Sequence, residues 1–287
     1  MIPSLRPATK KRLSSKKTMN ENKIINRNPL VTVIVPAYNM ENYIEECLDS
    51  VLQSTYSPLE VIIVDDGSTD TTLHVAQKIA SHHEIVKVIA QPNMGVSHAR
   101  NNAIEVAGGE LILPVDADDK IAPDYIGLAV EQFLMDDTVK VVTAHGEFFG
   151  NRTGVWILPP FDRHRLATRN LISVCAMYRK SDWKRVGGYC TYIKGLEDWD
   201  FWISMLKDEG NVVCLNKVGF YYRIRPNSKR INDRKHKASV VATLNERHPE
   251  YFQRELGGPL HLHRSWSRTL NKLNYWRNKL FRKSVIS

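Results

Sequence analysis

The sequence predicts an α/β fold, a mixed and mostly parallel Rossmann-like sheet flanked by helices. Three features point that way. Short apolar runs alternate with segments of helical periodicity from about residue 30 to 120. The runs are apolar at consecutive rather than alternate positions, as in strands covered on both faces. Acids gather where the runs end, at Asp65-Asp66 and at Asp116, Asp118 and Asp119. Open α/β sheets bind their ligands at the carboxyl ends of strands.

In chain order, residues 1–29 hold eight Lys/Arg against one acid and few apolar side chains, which reads as a basic disordered arm. A strand is expected over 30–35 (LVTVIV), ended by Pro36. Tyr43, Ile44, Cys47, Leu48, Val51 and Leu52 fall on one face of a helix over 41–53. A second strand over 59–64 leads into Asp65-Asp66-Gly67-Ser68 and a helix near 70–81. A third strand, 86–90, precedes the turn at Asn93 to Ser97 and a helix over 96–107 with Arg100 and Asn101 near its start. The strand over 111–115 ends in the acid cluster. Further on, 123–135 and 179–186 read as helices and 139–144 and 171–178 as buried strands. Residues 150–160 read as irregular, and acids open a helix at Glu197-Asp198.

Three carboxylates within four residues repel one another, at roughly 3 kcal/mol per pair at about 5 Å in an effective dielectric near 20. A divalent cation with a phosphate offsets such a cluster. The other reading is a solvated turn, with Asp119 capping the helix that follows.

Net charge is +9, and its distribution excludes one class. Residues 223–287 hold 16 Lys/Arg against four acids, while 30–222 hold 16 against 26. An acidic middle between basic ends is not a nucleic-acid-binding surface. The four cysteines form no CxxC pair and read as reduced thiols of a cytoplasmic protein. No apolar stretch follows the basic N-terminus, and no run approaches the ~20 residues of a membrane span. There is no GxGxxG after the first strand and no GxxxxGK[ST].

Further motifs follow one another in order: Val33 to Asn39 (VIVPAYN), Val64-Asp65-Asp66-Gly67-Ser68, Asn93-x-Gly95 with Ala99-Arg100-Asn101, Gly109-Glu110, Asp116-Ala117-Asp118-Asp119, Gly187-Gly188-Tyr189 and Glu197-Asp198. Together, over roughly 31–225, they resemble the family 2 glycosyltransferases, which have the GT-A fold. The resemblance implies that Pro36, Tyr38, Asp66 and Asn93 border a nucleotide, and that Arg100 meets its ribose–phosphate end. For Tyr38, Asp66 and Arg100 the alternatives are packing, a helix cap and an ion pair. Asp116-Ala117-Asp118 matches the DxD motif, which implies Mn²⁺ or Mg²⁺ on Asp118 and Asp116 and binding of a nucleotide-sugar donor, a UDP-sugar. Asp198 matches the general base of an inverting transfer, and Glu197 an acceptor-orienting residue. Trp199 and Trp202 either stack on an acceptor sugar or pack in the core.

Two departures stand out. Where the family shows Tyr-Arg-x-His, this chain has Tyr222-Arg223-Ile224-Arg225. Arg225 cannot ligate a metal, but it can bind diphosphate. The Gln-x-x-Arg-Trp signature of processive members is absent, which favours one sugar per encounter.

The expected organisation is a basic arm (1–29), a catalytic domain (30–228) and a basic helical tail (229–287). Its nucleotide-binding half ends near residue 120. In the tail, Trp266, Leu270, Leu273, Trp276, Leu280 and Phe281 cover an arc of about 140° of one helix. Basic residues lie largely opposite. This reads as an interfacial helix on an anionic membrane, or as a helix docked on the domain or on a second subunit. The resulting expectation is a peripheral transferase at the inner face of the cell membrane, acting on a glycan or lipid-linked acceptor in surface-polysaccharide assembly. The rivals are a non-catalytic sugar-nucleotide-binding scaffold and a sugar-phosphate nucleotidyltransferase. The latter needs a Gly-rich loop after the first strand, which Pro36-Ala37-Tyr38-Asn39 is not.

Overall fold

The structure, a computed structural model, describes residues 28–225 and 236–262, together with residue 273. The expected basic arm up to residue 27 and the interfacial helix over 263–283 lie outside the described residues, except for position 273.

The first half follows the expected alternation: β1 (Val31–Ala37), α1 (Ile44–Leu52), β2 (Leu59–Asp65), α2 (Thr72–Ala80), β3 (Val86–Ala90), α3 (Val96–Val106) and β4 (Leu111–Pro114). The second half is β5 (Lys120–Ile121), α4 (Tyr125–Met135), β6 (Val139–Gly150), β7 (Gly154–Trp156), α5 (Arg163–Leu166), β8 (Met177–Arg179), α6 (Lys180–Val186), α7 (Glu197–Leu206) and β9 (Asn211–Ile224). Two helices close the described chain, α8 (Lys237–Arg247) and α9 (Pro249–Leu256). The strands form one sheet in the order β3-β2-β1-β4-β8-β6-β9-β5, with β7 on β6. β3, β2, β1 and β4 are parallel. The chain moves to one side of β1 for β2 and to the other for β4, so the switch point of the sheet lies at the carboxyl ends of β1 and β4.

Residue parity divides the core. Val31, Val33 and Val35 face α1 and α4, packing with Leu48, Val51, Ile126 and Val130. Ile34, Ile62, Val64 and Ile112 face the other layer, with Ala103, Ile104 and Trp202. Successive strand side chains point to opposite faces, so a strand covered twice must be apolar at nearly every position. Val240, Leu244, Tyr251, Phe252 and Leu260 pack into this second cluster too, so the described part of the expected tail shares the main core.

The exception to apolar strands is a polar knot at the opposite end of the sheet from the acids. Glu60 accepts from Thr32 Oγ1 (2.6 Å), Gly108 N (2.8 Å) and Lys87 Nζ (2.7 Å), which ties three strands to the entry of β4. Burial pushes the Glu60 carboxyl up, but donation from Lys87, Thr32 and Gly108 outweighs it and holds the pKa below its ordinary value. A carboxylate depressed in the folded state stabilises above its unfolded pKa and loses that effect as pH falls through the folded value. Glu60→Gln is therefore expected to lower stability by about 2 kcal/mol at pH 7 in chemical denaturation. The gap should close as the pH falls below about 4. A gap of the same size at both pH values would count against this account.

The strand expected over 171–178 is shorter, since only Met177–Arg179 forms β8. Leu171, Ile172, Cys175 and Ala176 are buried all the same. Their segment satisfies backbone groups locally: Ile172 N donates to Asn170 Oδ1 and Ser173 Oγ to Cys175 O. The apolar run marks burial there, not pairing. Within 150–160, read as irregular, β7 pairs with β6 and stacks Trp156 on Phe148 at 5.5 Å.

Candidate active site

The loops after β1 and β2 form one wall. Asn39 adopts a left-handed conformation (φ 53°), which Asn tolerates. Its side-chain oxygen accepts from Thr69 N (2.9 Å), and its N–H donates to Ser68 Oγ (3.0 Å). Tyr38 beside it is 44% exposed and Pro36 half-buried. Asp66 accepts from Gln91 Nε2 (2.7 Å), Met94 N (2.9 Å) and Gly95 N (2.8 Å), which fixes the turn into α3. Asp66 therefore holds the turn before α3 rather than capping a helix, and three of about four acceptor sites of its carboxylate are used. Gly67, at φ +72°, has no room for a Cβ, which would lie 2.7 Å from Asn93 N. That contact sets exposed Asn93 beside Asp66.

The acid cluster follows β4 on the next strand over. Ala117 is buried, so Asp116 and Asp118 are splayed by a turn whose middle points inward. Asp116 Oδ1 accepts from Arg100 Nη2 at 2.7 Å, and its side chain is 32% exposed. Asp118 Oδ2 accepts from Arg225 Nε at 2.6 Å. Burial and the Asp116 charge raise the Asp118 carboxyl above its ordinary value, against the pull of Arg225. Asp119 is buried and goes up further, through burial and the charges of Asp118 and Asp116. Its Oδ1 accepts from Arg223 N (2.8 Å), while Oδ2 is buried without a partner among the described residues. Arg223 also donates Nε to Asp118 O (2.8 Å), pairs with Glu46 and lies 4.2 Å over the Phe149 ring. The end of β9 is thereby strapped across the acid turn.

The third wall is the start of α7. Its N-cap, Leu196, sits at φ 54°, ψ 31°, a region that costs a non-glycine residue on the order of 1 kcal/mol and that clusters at functional sites. Asp198 follows. Its Oδ2 accepts from Asn170 Nδ2 at 2.7 Å and its Oδ1 from Trp199 N at 2.9 Å. Glu197 is buried and accepts from Arg100 Nη1 at 3.2 Å. Arg100 thus links the acid turn after β4 to the first residue of α7. Of the two readings of Arg100, a ribose–phosphate contact and a surface ion pair, the structure shows an ion pair, but a buried one: its side chain is 2% exposed and faces two carboxylates. Trp199 is also placed differently from a sugar-stacking residue. It is 2% exposed and donates Nε1–H to Leu166 O (2.8 Å), because its helix face is turned into the core. Trp202 is wholly buried. In the second turn of α7, Asp200 accepts from Arg247 Nε and His248 Nε2, both at 2.8 Å.

The donor set fits one kind of cation. Among the described residues no three His, Cys, Asp or Glu side chains are grouped to cage a metal. Asp116, held through one oxygen and partly exposed, and Asp118 beside it offer two carboxylates at the carboxyl edge of the sheet. A magnesium-like ion uses one or two carboxylates and completes its shell with phosphates and water. The residues fit that ion if Arg225 yields Asp118.

Sequence reading missed Asn170, Glu46 and the strap made by Arg223. Asn170 stands before an apolar run and looks like a turn residue, and its partner Asp198 is 28 positions away. No local pattern marks such a pair.

Comparison with known proteins gives a consistent picture. A family model described as "Glycosyl transferase family 2" matches residues 32–187. A chondroitin synthase of Pasteurella multocida (strain Pm70) is 35% identical over 197 residues, 66% of this chain and 20% of that protein. A hyaluronan synthase of Pasteurella multocida is 34% identical over the same shares of both chains. The chain therefore spans about a fifth of the length of these relatives. Among solved structures, S. aureus TarS 1-349 in complex with UDP-GlcNAc superposes with a TM-score of 0.69 at 25% identity, over 83% of this chain and 74% of that one. The mannosyltransferase PcManGT from Pyrobaculum calidifontis, in complex with GDP-Man and Mn2+, has a TM-score of 0.66 at 22% identity, over 92% of this chain and 81% of that one. The mixed sheet with helices on both faces is the GT-A fold of these structures.

Proposed function

We propose, because the chain belongs to glycosyl transferase family 2, that it moves one sugar from a nucleotide-sugar donor to a hydroxyl of a glycan or lipid-linked acceptor, with inversion. The observation that carries this reading is the Asp116–Arg100–Glu197 bridge. It ties Asp116, which would meet a donor's diphosphate, to Glu197, the residue before Asp198, whose carboxylate would meet an acceptor. The UDP-GlcNAc complex of TarS supports a UDP-sugar donor. The names of the chondroitin and hyaluronan synthases support a glycan acceptor and polysaccharide assembly.

In this reading Asp198, oriented by Asn170, takes the proton of the acceptor hydroxyl as its oxygen attacks the anomeric carbon. The bond from that carbon to the diphosphate oxygen breaks, and the nucleoside diphosphate leaves from the opposite side. Pro36, Tyr38, Asp66 and Asn93 border the nucleotide, and Glu197 helps to orient the acceptor. Asp118 and Asp116 would hold Mn²⁺ or Mg²⁺, which when bound neutralises charge developing on the leaving group.

Calorimetric titration of UDP tests the donor site. Binding is expected with Mn²⁺ present, and Asp118→Ala should abolish the part of it that EDTA removes. No binding of UDP in either condition, with GDP bound instead, would replace the uridine donor.

The tail is part of the same proposal. Its basic and aromatic sequence over 263–287 supports contact with an anionic membrane surface at the inner face of the cell membrane. No helix of the described residues is long and apolar enough to cross a membrane. The 287-residue chain is expected to sediment with anionic vesicles, and a chain lacking 263–287 to stay in solution. Sedimentation of both would remove the tail as the anchor.

A further inference from the structure

Arg225 stands at the tip of β9, immediately after the last residue of the strand. Its Nε donates to Asp118 Oδ2 at 2.6 Å, with the two side chains only 21% and 16% exposed. A pair so withdrawn from water is not an incidental surface contact. The rest of the guanidinium meets soft groups, the Met40 sulfur at 3.5 Å and the Tyr43 ring at 5.3 Å. Among the described residues Asp118 is the carboxylate it pairs with. Arg223, two residues earlier, is engaged differently, through Glu46 and the Asp118 carbonyl. One arginine therefore straps the turn, and the other occupies the functional carboxylate.

From these contacts we infer that Arg225 and a divalent cation are alternative occupants of Asp118, so that Arg225 sets how far donor binding depends on metal. The inference rests on the glycosyltransferase reading of the site. A guanidinium on Asp118 Oδ2 and a divalent ion on the same carboxylate are two cations in close approach, and they repel. A guanidinium displaced by metal, or left in place without it, is a fork suited to diphosphate oxygens. Arg225 brings a fixed positive charge to a position that would otherwise need an ion.

The test uses the full chain and Mn²⁺ alone, followed by electron paramagnetic resonance of the free ion without nucleotide. Arg225→Gln is expected to bind Mn²⁺ about tenfold tighter than wild type or more, and Arg225→Lys about as weakly as wild type. The ratio of UDP affinity in Mn²⁺ to that in EDTA should rise about tenfold in the Gln variant. Mn²⁺ affinity that is unchanged or lower in Arg225→Gln overturns the inference. So does equal tightening by Gln and Lys, which would point to lost packing on Tyr43 rather than lost charge. If no nucleotide binds to any variant, the donor reading fails, while the Mn²⁺ comparison still decides the role of Arg225.

Discussion

Asp198→Asn is expected to slow sugar transfer by about 10²- to 10⁴-fold while leaving UDP affinity in calorimetry near that of wild type. The amide keeps the size of the carboxylate and can still accept from Asn170 through its oxygen. It cannot take a proton. The loops after β1, β2 and β4 would meet the donor, while Asp198 stands on α7, so binding and chemistry should separate. A loss confined to the rate constant is the signature of an interaction needed in the transition state. Asn170→Ala serves as the graded companion. It leaves Asp198 in place but removes the Asn170 donor to its Oδ2, and misorientation of a catalytic group should cost about tenfold in rate with donor affinity unchanged. Transfer by Asp198→Asn at the wild-type rate would remove Asp198 as the base. Weakened UDP binding in step with the rate would make it a donor-site residue.

Arg100→Met is expected to destabilise the protein by about 3–5 kcal/mol. Burial opposes a charge on Arg100, but Asp116 and Glu197 outweigh it and hold the guanidinium protonated. The methionine fills much of the same space and leaves Glu197, whose side chain is 9% exposed, without this counter-charge. Asp116 is affected less, because its side chain is partly in water. Adding Glu197→Gln removes the buried charge that Arg100 had faced, so the double variant should recover much of the loss in a denaturation cycle. Equal instability of the single and double variants would assign the effect to packing on the Tyr189 ring, 5.4 Å away.

The parallel half of the sheet was legible because its strands are covered twice. That condition writes an unbroken apolar run into the sequence, and acids at the ends of such runs stand out. The same cue misled at 171–178, where apolar residues are buried in a segment that turns instead of pairing. Burial is what an apolar run reports, and hydrogen-bonding partners decide whether it becomes a strand. β9 carried a weaker signal, since most of its side chains are only half-buried and no face is cleanly apolar. Within the site, the types of residue were visible and their partners were not. Asp116 and Asp198 could be singled out as acids at element ends. That Arg100 joins the two neighbourhoods from inside depends on contacts between residues 97 positions apart. Arg225 announced itself only as a residue out of pattern, and its carboxylate partner comes from the fold. Trp199 shows the reverse limit: an aromatic next to a functional acid can belong wholly to the core.

The hold of Arg247 and His248 on Asp200 bears on how this kind of protein can be divided and exchanged. The stretch that matches the family model ends at residue 187, before the helix that carries Asp198. That helix is anchored from beyond the sheet, by two residues at the junction of α8 and α9 and by apolar side chains as far as Leu260. A swap between relatives made at the end of β9 would graft a foreign lever onto the helix that carries Asp198 and take Arg247 and His248 away from Asp200, which has no exposure of its own. The heritable block, in physical terms, runs through residue 260, and acceptor preference should travel with it as one piece.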